Sequence, residues 1–502
     1  MNKAFTTMVK NAGTDAGHYE VLILGAGISG LACASKLYKN DHFKDPGKLL
    51  VIEGRNRIGG RIESVVVNGN RLDTGANWIH GVGTKEAPNP LMELVAKKRY
   101  RSLSGTVAFK TDKTGVQGQV IPKQISETIV SGLWAIIGAL HEIPSKLSPE
   151  QGKQKTIRQA VVETEPFQQT YKDLPQEYHQ TFGSIIQFIE NMEAGSLTER
   201  SLERAEGKPT MSILEYAIDD FEGEHVFVQD GYREVVNDLA KYLLDAGLVK
   251  LDTEITHIDW SSNPIRVQTS QGRYTASSVV CTLPLGVLKD HSSGIFEPSL
   301  PPDKQEAIQK LGYGTLDKIF LIFDNPWWSK DPFRSILKKG IVGMAADAEV
   351  PDNFMGFCYE LPGLKIHQDG TISAGPYSIS MVNLYNLTGF PVLSCYVSCS
   401  TAVQIEKMTT EGAGDIIHRS LNTWFGQPTP KPTAVHVTRW RQDPFSRGSY
   451  SHMIAGLSEN AHREIFQRPI LNSQAAVLHF AGEHTSSNRE LCLASRDLAD
   501  KM

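Results

Sequence analysis

Cysteine is scarce in this chain, and basic residues are not in excess. The 502 residues include six cysteines, with no C-x-x-C pair and no Cys/His cluster of zinc-site spacing. We therefore expect no metal site and no disulfide framework, but thiols buried as small hydrophobic groups in a reducing compartment. Lys and Arg number 51 against 56 Asp and Glu. Nucleic acid is thus not an expected partner, because its recognition needs a basic surface.

Long apolar runs are also missing. No run approaches the roughly 18 residues that a membrane-spanning helix needs. The start of the chain lacks the apolar core of a signal peptide, and its last three residues are not a peroxisomal signal. We expect a soluble, cytoplasmic protein without a membrane partner, and a disordered N-terminus over residues 1–18. The sequence leaves the oligomeric state open.

A glycine-rich turn follows the first apolar stretch. Residues 19–24 resemble a buried strand, residues 31–38 have helical spacing, and G-x-G-x-x-G lies between them. In such a context Gly25 allows the tight turn, Gly27 lets a pyrophosphate approach the backbone, and Gly30 lets the helix pack closely on the strand. The N-terminus of the helix supplies N–H groups to phosphates. The pattern predicts a dinucleotide site.

A second predicted strand, residues 49–52, ends at Glu53, where the fingerprint places an acid that binds ribose hydroxyls. Arg55, Gly60 and Arg61 follow within eight residues. Glycines let the backbone close on an anion, and the arginine fork matches phosphate. An enzyme that binds a nicotinamide cofactor through one dinucleotide-binding unit does not need this second set of phosphate-binding residues.

The E-x-R-x-R-x-G-G-R run that starts at Glu53 resembles the FAD site of the flavin-containing amine oxidases. The resemblance implies that Glu53, Arg55 and Arg61 hold the adenosine and pyrophosphate of FAD. It also implies an α/β fold, in which a Rossmann-type FAD-binding domain is interleaved with an α+β substrate domain.

Other blocks of the same family run along most of the chain. The block at residues 73–81 resembles the one that passes under the flavin ring, with Gly75, Ala76, Asn77 and Trp78. In the polyamine oxidase branch a histidine at the position of His80 faces the substrate. An imidazole suits this role because it can bind an amine and change charge near neutral pH.

Lys318 begins an apolar strand, a position at which lysine is usually solvated. In the family this position is a buried lysine linked through a water to flavin N5, and burial would depress its pKa. Trp440 would pack against the flavin, and Tyr450 would form one wall of an aromatic substrate slot. Ser449 stands where monoamine oxidases have a cysteine bonded to the flavin, which implies noncovalent FAD. The resemblance thus makes Lys318, His80 and Tyr450 the catalytic candidates.

Three further residues are candidates for the cofactor or substrate site. Ile255 stands where the family uses backbone groups against adenine, and Glu483 where it reaches the ribityl chain. Glu193 is a candidate acid for the distal ammonium of a substrate, although a surface carboxylate is the preferred interpretation. After Thr485 the family's small-residue turn, second aromatic and Gly-Ala helix are replaced by a charged tail.

We expect the FAD-binding domain to comprise residues 19–90, 225–295 and 430–502, and the substrate domain 91–224 and 296–429. The predicted function is a polyamine oxidase that acts on spermine, spermidine or their acetylated forms with O2. A monoamine or L-amino-acid oxidase is the alternative within enzymes. The altered tail makes an FAD-binding protein without catalysis the alternative of another class.

Overall fold

The structure is a computed structural model that describes residues 15–112, 116–195, 211–217, 222–344, 348–358, 377–472 and 477–486. The altered tail lies outside the described residues from 487 onward. Over the described ranges, no helix combines the length and the apolar character needed to cross a membrane. In the same ranges, no three His, Cys, Asp or Glu side chains group as a metal site would require.

The strands of the described chain, in order, are β1 Asp15–Leu24, β2 Leu49–Ile52, β3 Ser64–Val67, β4 Asn70–Asp73, β5 Trp78–Ile79, β6 Tyr100–Arg101, β7 Thr106–Thr111, β8 Gly118–Val120, β9 Val226–Val228, β10 Val249–Lys250, β11 Ile255–Asp259, β12 Ile265–Thr269, β13 Gly272–Cys281, β14 Phe296–Glu297, β15 Gly312–Gly314, β16 Leu316–Ile322, β17 Asn353–Cys358, β18 Tyr377–Asn383, β19 Val392–Ser398, β20 Ala434–Val437, β21 Tyr450–His452, β22 Ile470–Leu471 and β23 Val477–Phe480.

The α-helices are α1 Ile28–Tyr38, α2 Leu91–Val95, α3 Lys123–Glu142, α4 Pro149–Gln154, α5 Ile157–Glu163, α6 Glu165–Asp173, α7 His179–Glu193, α8 Tyr232–Asp245, α9 Leu285–Ile295, α10 Pro302–Lys310, α11 Phe333–Leu337, α12 Leu384–Thr388, α13 Cys399–Glu406, α14 Thr410–Phe425 and α15 Asn460–Gln467.

The first of two compact units comprises Met1–Ile62, Arg233–Gln309 and Ala461–Met502. Its described strands form a sheet in which β2, β1, β13 and β23 run parallel, while β12 and β11 add antiparallel strands beyond β13. The last four residues of β1 are fully buried, as a central parallel strand requires. The predicted strand, glycine turn and helix are therefore present as β1, residues 25–27 and α1.

The expectation of a disordered N-terminus is wrong for residues 15–18. These residues extend β1 and pair with the start of β13, with Asp15 opposite Arg273 and His18 opposite Thr275. The apolar run from residue 19 marked only the buried half of the strand. Its exposed half is polar, but the backbone ladder continues through it.

The second unit comprises Glu63–Tyr232 and Lys310–Asn460. Its largest described sheet has the order β20-β16-β19-β18-β17-β7-β8 and is mostly antiparallel. The predicted FAD segments 63–90 and 430–460 fall within this unit, so packing divides the chain elsewhere than the motifs do. Which segments contact FAD stays a prediction.

Strand β16 is buried on both faces. Its odd-numbered residues Ile319 and Leu321 join one apolar core, and its even-numbered residues Phe320 and Ile322 join another. This follows from the two-residue alternation of side chains along a strand. It also explains why the sequence of this strand is apolar without interruption after Lys318.

Gly356 of β17 lies directly against the indole of Trp424, which a Cβ at this position would overlap. We expect Gly356→Ala to destabilise the protein by about 1–3 kcal/mol, because the surrounding core is closely packed. Gly138 is an exposed glycine inside α3 with open space around its Cβ position. Gly138→Ala should instead stabilise by up to about 1 kcal/mol through helix propensity. Thermal unfolding measures both, and equal midpoints for the two variants would contradict the packing described.

Candidate functional site

The glycine turn of the first unit is shaped to receive an anion. Gly25 has a φ of +110°, which favours glycine. A Cβ on Gly30 would overlap the carbonyl oxygen of Gly25, so the close packing of α1 on β1 requires glycine. Gly27 precedes α1, gives the helix no side-chain cap and has open space at its Cβ position. The first N–H groups of α1 therefore suit a phosphate.

Glu53 is buried beside this turn and organises it. Its carboxylate accepts the N–H of Ala26 at 2.8 Å and that of Arg55 at 2.9 Å. Its carbonyl accepts the N–H of Thr253 at 2.9 Å, and Ile255 lies two residues further along that segment. The structure thus brings the Ile255 segment next to Glu53. Their contacts with ribose and adenine stay predictions.

The arginine-rich segment docks against the glycine turn. The N–H of Gly59 donates to the carbonyl of Ala26 at 2.8 Å. The Cβ position of Gly60 is 3.3 Å from Cα of Gly27, a distance that a larger residue would crowd. Arg57 closes the segment by donating to the carbonyl of Gly60 at 2.9 Å. Two glycine turns therefore face each other, as two phosphates require.

Arg61 and Glu483, which are 422 residues apart, form an ion pair with a distance of 3.0 Å. Arg463 donates to the carbonyl of Glu483 at 3.2 Å and so fixes it from a second side. Sequence reasoning missed Arg463, because no motif contains it. His484 is buried edge-on against Phe466, and burial lowers its pKa to about 4. His484 is therefore a neutral packing residue at pH 7.

In the second unit, Lys318 lies buried in β16, as the family resemblance implies. Its Nζ donates to the carbonyls of Asp73 at 3.0 Å and Gly75 at 2.6 Å. Its backbone N–H donates to the hydroxyl of Thr438 at 2.8 Å. Burial lowers the pKa of Lys318, and the nearby Tyr396 and Asp73 partly oppose this. The solvated lysine usual at strand ends is thus not what the structure contains.

Trp440 completes a set of contacts with the same backbone. Its indole N–H donates to the carbonyl of Thr74 at 3.3 Å. The carbonyls of three successive residues, 73 to 75, are therefore held by Lys318 and Trp440. The N–H of Gly75 donates to the carbonyl of Glu63 at 3.2 Å. The predicted flavin block is fixed at its first three residues.

Tyr396 was missed by sequence reasoning. It lies opposite Lys318 on β19, with Lys318 Nζ 5.4 Å from the centre of its ring. Its hydroxyl accepts long hydrogen bonds, at 3.5 Å, from Asn77 Nδ2 and Trp78 Nε1. Tyr396 therefore links the second half of the flavin block to Lys318. Tyr396 could have been found as the residue that pairs with Lys318 on the neighbouring strand. The pairing register, however, cannot be read from the sequence.

His80 lies at the end of the same block and is exposed within the described chain. Its ring meets that of His225 edge-on at 5.1 Å. The N–H of Gly81 donates to Nδ1 of His225 at 3.2 Å, which places any hydrogen of a neutral His225 ring on Nε2. Sequence reasoning missed His225. It directly precedes β9, the partner of β5, which ends just before His80.

Tyr450 and Glu193 come together at the C-terminal end of α7. The Tyr450 hydroxyl donates to the carbonyl of Met192 at 2.7 Å, and Glu193 is the next residue. Glu193 is 6% exposed, so the preferred interpretation as a surface carboxylate is wrong. The helix ends with Ala194 in a left-handed conformation, and its carbonyl packs against Gly314.

The hydroxyl of Ser449 makes hydrogen bonds within the protein, both as donor and as acceptor. The hydroxyl donates to the carbonyl of Leu316 at 2.9 Å and accepts the N–H of the same residue at 2.8 Å. It thus fastens the strand that contains Tyr450 next to β16. The residues Lys318, Gly75, Asn77, Trp78 and Trp440 form one connected group in the second unit. The glycine turn, Glu53, Arg61 and Glu483 belong to the first unit.

Comparison with known proteins gives consistent relatives. The family model for flavin containing amine oxidoreductase matches residues 28–490. Polyamine oxidase 2 of Arabidopsis thaliana is 28% identical over 473 residues, which cover 93% of this chain and 84% of the relative. The peroxisomal N(1)-acetyl-spermine/spermidine oxidase of Homo sapiens is 25% identical, covering 95% of this chain and 92% of the relative.

Among solved structures, wild-type putrescine oxidase bound to putrescine matches with a TM-score of 0.64 and 17% identity. The match covers 96% of this chain and 98% of that structure, and it establishes the α/β amine oxidase fold that the sequence predicts. The family match spans most of the chain and includes Lys318, Trp440, Glu53, Arg61 and Glu483, while Gly25 and Gly27 lie just before its first residue. The chain therefore belongs to the flavin-containing amine oxidoreductases, a family of amine-oxidising enzymes whose cofactor is FAD.

Proposed function

We propose that this enzyme oxidises polyamines. The substrate, spermine, spermidine or an N-acetylated form, would lose a hydride from a carbon next to nitrogen and a proton from that nitrogen. The resulting imine would hydrolyse to an aldehyde and an amine, and O2 would be reduced to H2O2. The names of the sequence relatives support the polyamine class. The observation that carries the proposal is the buried Lys318, fixed with Trp440 against residues 73–75.

The residues present fit FAD. The uncapped start of α1, the open position at Gly27 and the ion-paired Arg61 suit a diphosphate with an adenosine end. When bound, FAD supplies a two-electron acceptor that can be reoxidised by O2. Ser449 cannot form the thioether of the covalent relatives, so we propose that FAD is held noncovalently.

Lys318 can hold or release a proton without moving. An ammonium has three N–H groups, of which two donate to Asp73 and Gly75. A neutral amine keeps both of these hydrogen bonds and gains a lone pair in place of the third N–H. The lowered pKa of Lys318 makes the neutral form accessible. We propose that Lys318 Nζ holds and moves the proton, through a water, at the reacting end of the flavin.

Binding of the substrate would fall to His80, Tyr450 and Glu193. His80 offers a polar ring atom to a substrate nitrogen, and Tyr450 offers an aromatic wall at the end of α7. The buried carboxyl of Glu193 is a candidate partner for a distal ammonium. An apolar wall beside a neutral amine favours the form that can give up a hydride, because it stabilises no positive charge on the nitrogen.

Anaerobic mixing with substrate tests the function and separates the alternatives. We expect the yellow protein to bleach with spermine or N-acetylspermine, but much less with a monoamine or an L-amino acid. Aerobic release of H2O2 should follow the same order. Bleaching by a monoamine or amino acid alone would contradict the polyamine proposal. A protein that stays yellow with every amine would support FAD binding without catalysis.

Replacing Lys318 by Met should leave the flavin slow to react with O2. We expect the bimolecular reoxidation rate to fall about 100-fold, the lower range for loss of a positioned proton donor. The carbonyls of Asp73 and Gly75 would also lose their donors, so the unfolding midpoint should fall. Stopped-flow absorbance after anaerobic reduction measures the rate.

The matched control for this variant is Lys338→Met, which removes an exposed lysine that follows α11. We expect it to reoxidise at the rate of the unaltered protein. A Lys318→Met protein that binds FAD and reoxidises equally fast would remove Lys318 from the proposed mechanism.

His80→Asn should weaken use of the substrate rather than binding of FAD. We expect kcat/KM for spermine to fall about tenfold, which corresponds to one lost hydrogen bond of about 1.4 kcal/mol. The absorbance of the bound flavin should not change. His42→Asn, at an exposed histidine of the first unit, is the control. Equal kcat/KM for the two variants would exclude His80 from substrate recognition.

A further inference from the structure

Two carboxyl groups of the second unit, those of Asp317 and Glu406, are buried side by side. Asp317 is fully buried and Glu406 is 4% exposed. Asp317 precedes Lys318 in β16, and Glu406 is the last residue of α13. The backbone N–H groups of two successive residues, Trp440 and Arg441, bind Asp317 and Glu406 respectively, which brings the two carboxyls together. Neither residue belongs to the motifs that the proposed function uses.

The donors around this pair can be counted. Oδ1 of Asp317 accepts the hydroxyl of Thr438 at 2.6 Å and the N–H of Trp440 at 3.1 Å. The two oxygens of Glu406 accept the N–H of Arg441 at 2.8 Å and that of Gln442 at 3.1 Å. Three successive backbone N–H groups, 440 to 442, thus bind the pair.

Oδ2 of Asp317 is buried and has no donor among the described residues. Burial of a carboxylate oxygen without a donor is costly, and burial beside a second carboxylate is costlier still. One proton between the two groups removes both problems, because it supplies an O–H···O hydrogen bond to the orphan oxygen and halves the charge. Two carboxyls that cannot both ionise are a well-known arrangement in proteins.

Among the described residues, the neighbouring cations Lys318 and Arg439 donate to groups other than these two carboxyls. Lys318 points to the opposite face of β16 and donates to residues 73 and 75. The guanidinium of Arg439 donates to the carbonyls of Glu406, Val437 and Met408. Arg441 meets Glu406 through its backbone N–H. Burial, and after it the charge of Glu406, raise the pKa of Asp317.

We propose that Asp317 and Glu406 share one proton at neutral pH and act as positioning residues for the turn at residues 438–442. The turn carries Trp440, whose indole fixes Thr74, and Thr438, which binds both backbone groups of Lys318. A pair that shares one proton therefore keeps Lys318 and Trp440 in fixed positions relative to each other. Sharing of the proton does not depend on the proposed function, whereas its importance for the flavin face rests on it.

The pH dependence follows from this arrangement. Burial and the charge of Glu406 raise the pKa of Asp317 well above its ordinary value. The folded protein therefore keeps a proton that the unfolded chain loses near pH 4. The stability that this proton confers is fully present below the unfolded pKa and falls as pH rises toward the folded pKa. Within that window the folding equilibrium constant loses about tenfold per pH unit from this group.

Asp317→Asn tests the proposal, because an amide is nearly isosteric with a protonated carboxyl and carries its own donor. We expect the folding constant of Asp317→Asn, relative to the unaltered protein, to rise about tenfold per pH unit from pH 5 upward. Glu406→Gln should behave in the same way. Urea unfolding of the full chain at pH 5, 6, 7 and 8 measures the ratios. Infrared spectra should show a neutral carboxylic acid at pH 7 that both variants lack.

Asp352→Asn is the matched control. Asp352 is equally buried but is paired with Arg101 at 2.8 Å and accepts the N–H of Ser104 at 2.6 Å. Asp352→Asn should be less stable than the unaltered protein, and this difference in the free energy of unfolding should not shrink between pH 5 and 8. A pH-independent ratio for Asp317→Asn would overturn the shared proton. So would failure of both Asp317→Asn and Glu406→Gln to fold, since an amide must replace a neutral carboxyl.

Retention of FAD gives a second, separable measurement. If the pair positions the flavin face, Asp317→Ala, which removes the acceptor of Thr438 and Trp440, should hold FAD more weakly than the unaltered protein at pH 7, whereas Asp317→Asn, which keeps an acceptor and a donor, should hold it within twofold. A shared proton with no difference in FAD retention would overturn the positioning role alone. If no form of the protein binds FAD, the proposed function fails, while the unfolding and infrared results still decide the proton.

Discussion

The buried ammonium group of Lys318 is the interaction on which the second unit is organised. A cationic group removed from water must find strong acceptors or lose its charge. Lys318 finds two carbonyls, of Asp73 and Gly75, in a segment more than 240 residues earlier. Its main chain is bound on both sides to Thr438. Three distant parts of the sequence are therefore held in one frame by a single residue and its backbone.

The alternation of β16 extends this constraint to both faces of the strand. Lys318 shares its face with Phe320 and Ile322, toward the core that contains Leu72. Asp317 shares the other face with Ile319, toward the core that contains Ile405. The ionisable side chains of Asp317 and Lys318, which are adjacent in sequence, thus lie on opposite faces of the strand. Lys318 binds backbone carbonyls on its face of the strand. Asp317 meets a backbone N–H, a hydroxyl and a second acid on the other face.

Local patterns predicted the parts of the site that depend on backbone geometry. The turn from Gly25 to Gly30 was readable because glycine is needed where φ is positive or a backbone approaches closely. Glu53 was readable because its distance from the turn is fixed by one strand and one helix. Lys318 and Trp440 came from family blocks, whose residues are contiguous in sequence.

The residues that sequence reasoning missed are partners across strands and between helix ends. Tyr396 meets Lys318 only through the register of β16 with β19, and Glu406 meets Asp317 only because α13 ends beside β16. Nothing in a run of residues fixes such a register before the cores form. Glu193 was assigned to the surface because a lone glutamate usually lies there. Glu193 is buried, and the next residue, Ala194, packs against Gly314, which lies 120 positions later.

The different boundaries of motifs and compact units have the same physical origin. Motifs mark residues that would touch a ligand, whereas compact units reflect which side chains bury one another. Residues 73–75 begin the predicted flavin block, yet Asp73 of β4 pairs with Ser64 of β3, and both belong to the second unit. A segment can thus serve a ligand while its own stability comes from another core. Division of this chain by its motifs alone would leave Trp440 with β3 and β4 but would cut them away from Lys318, the donor to the carbonyls of Asp73 and Gly75.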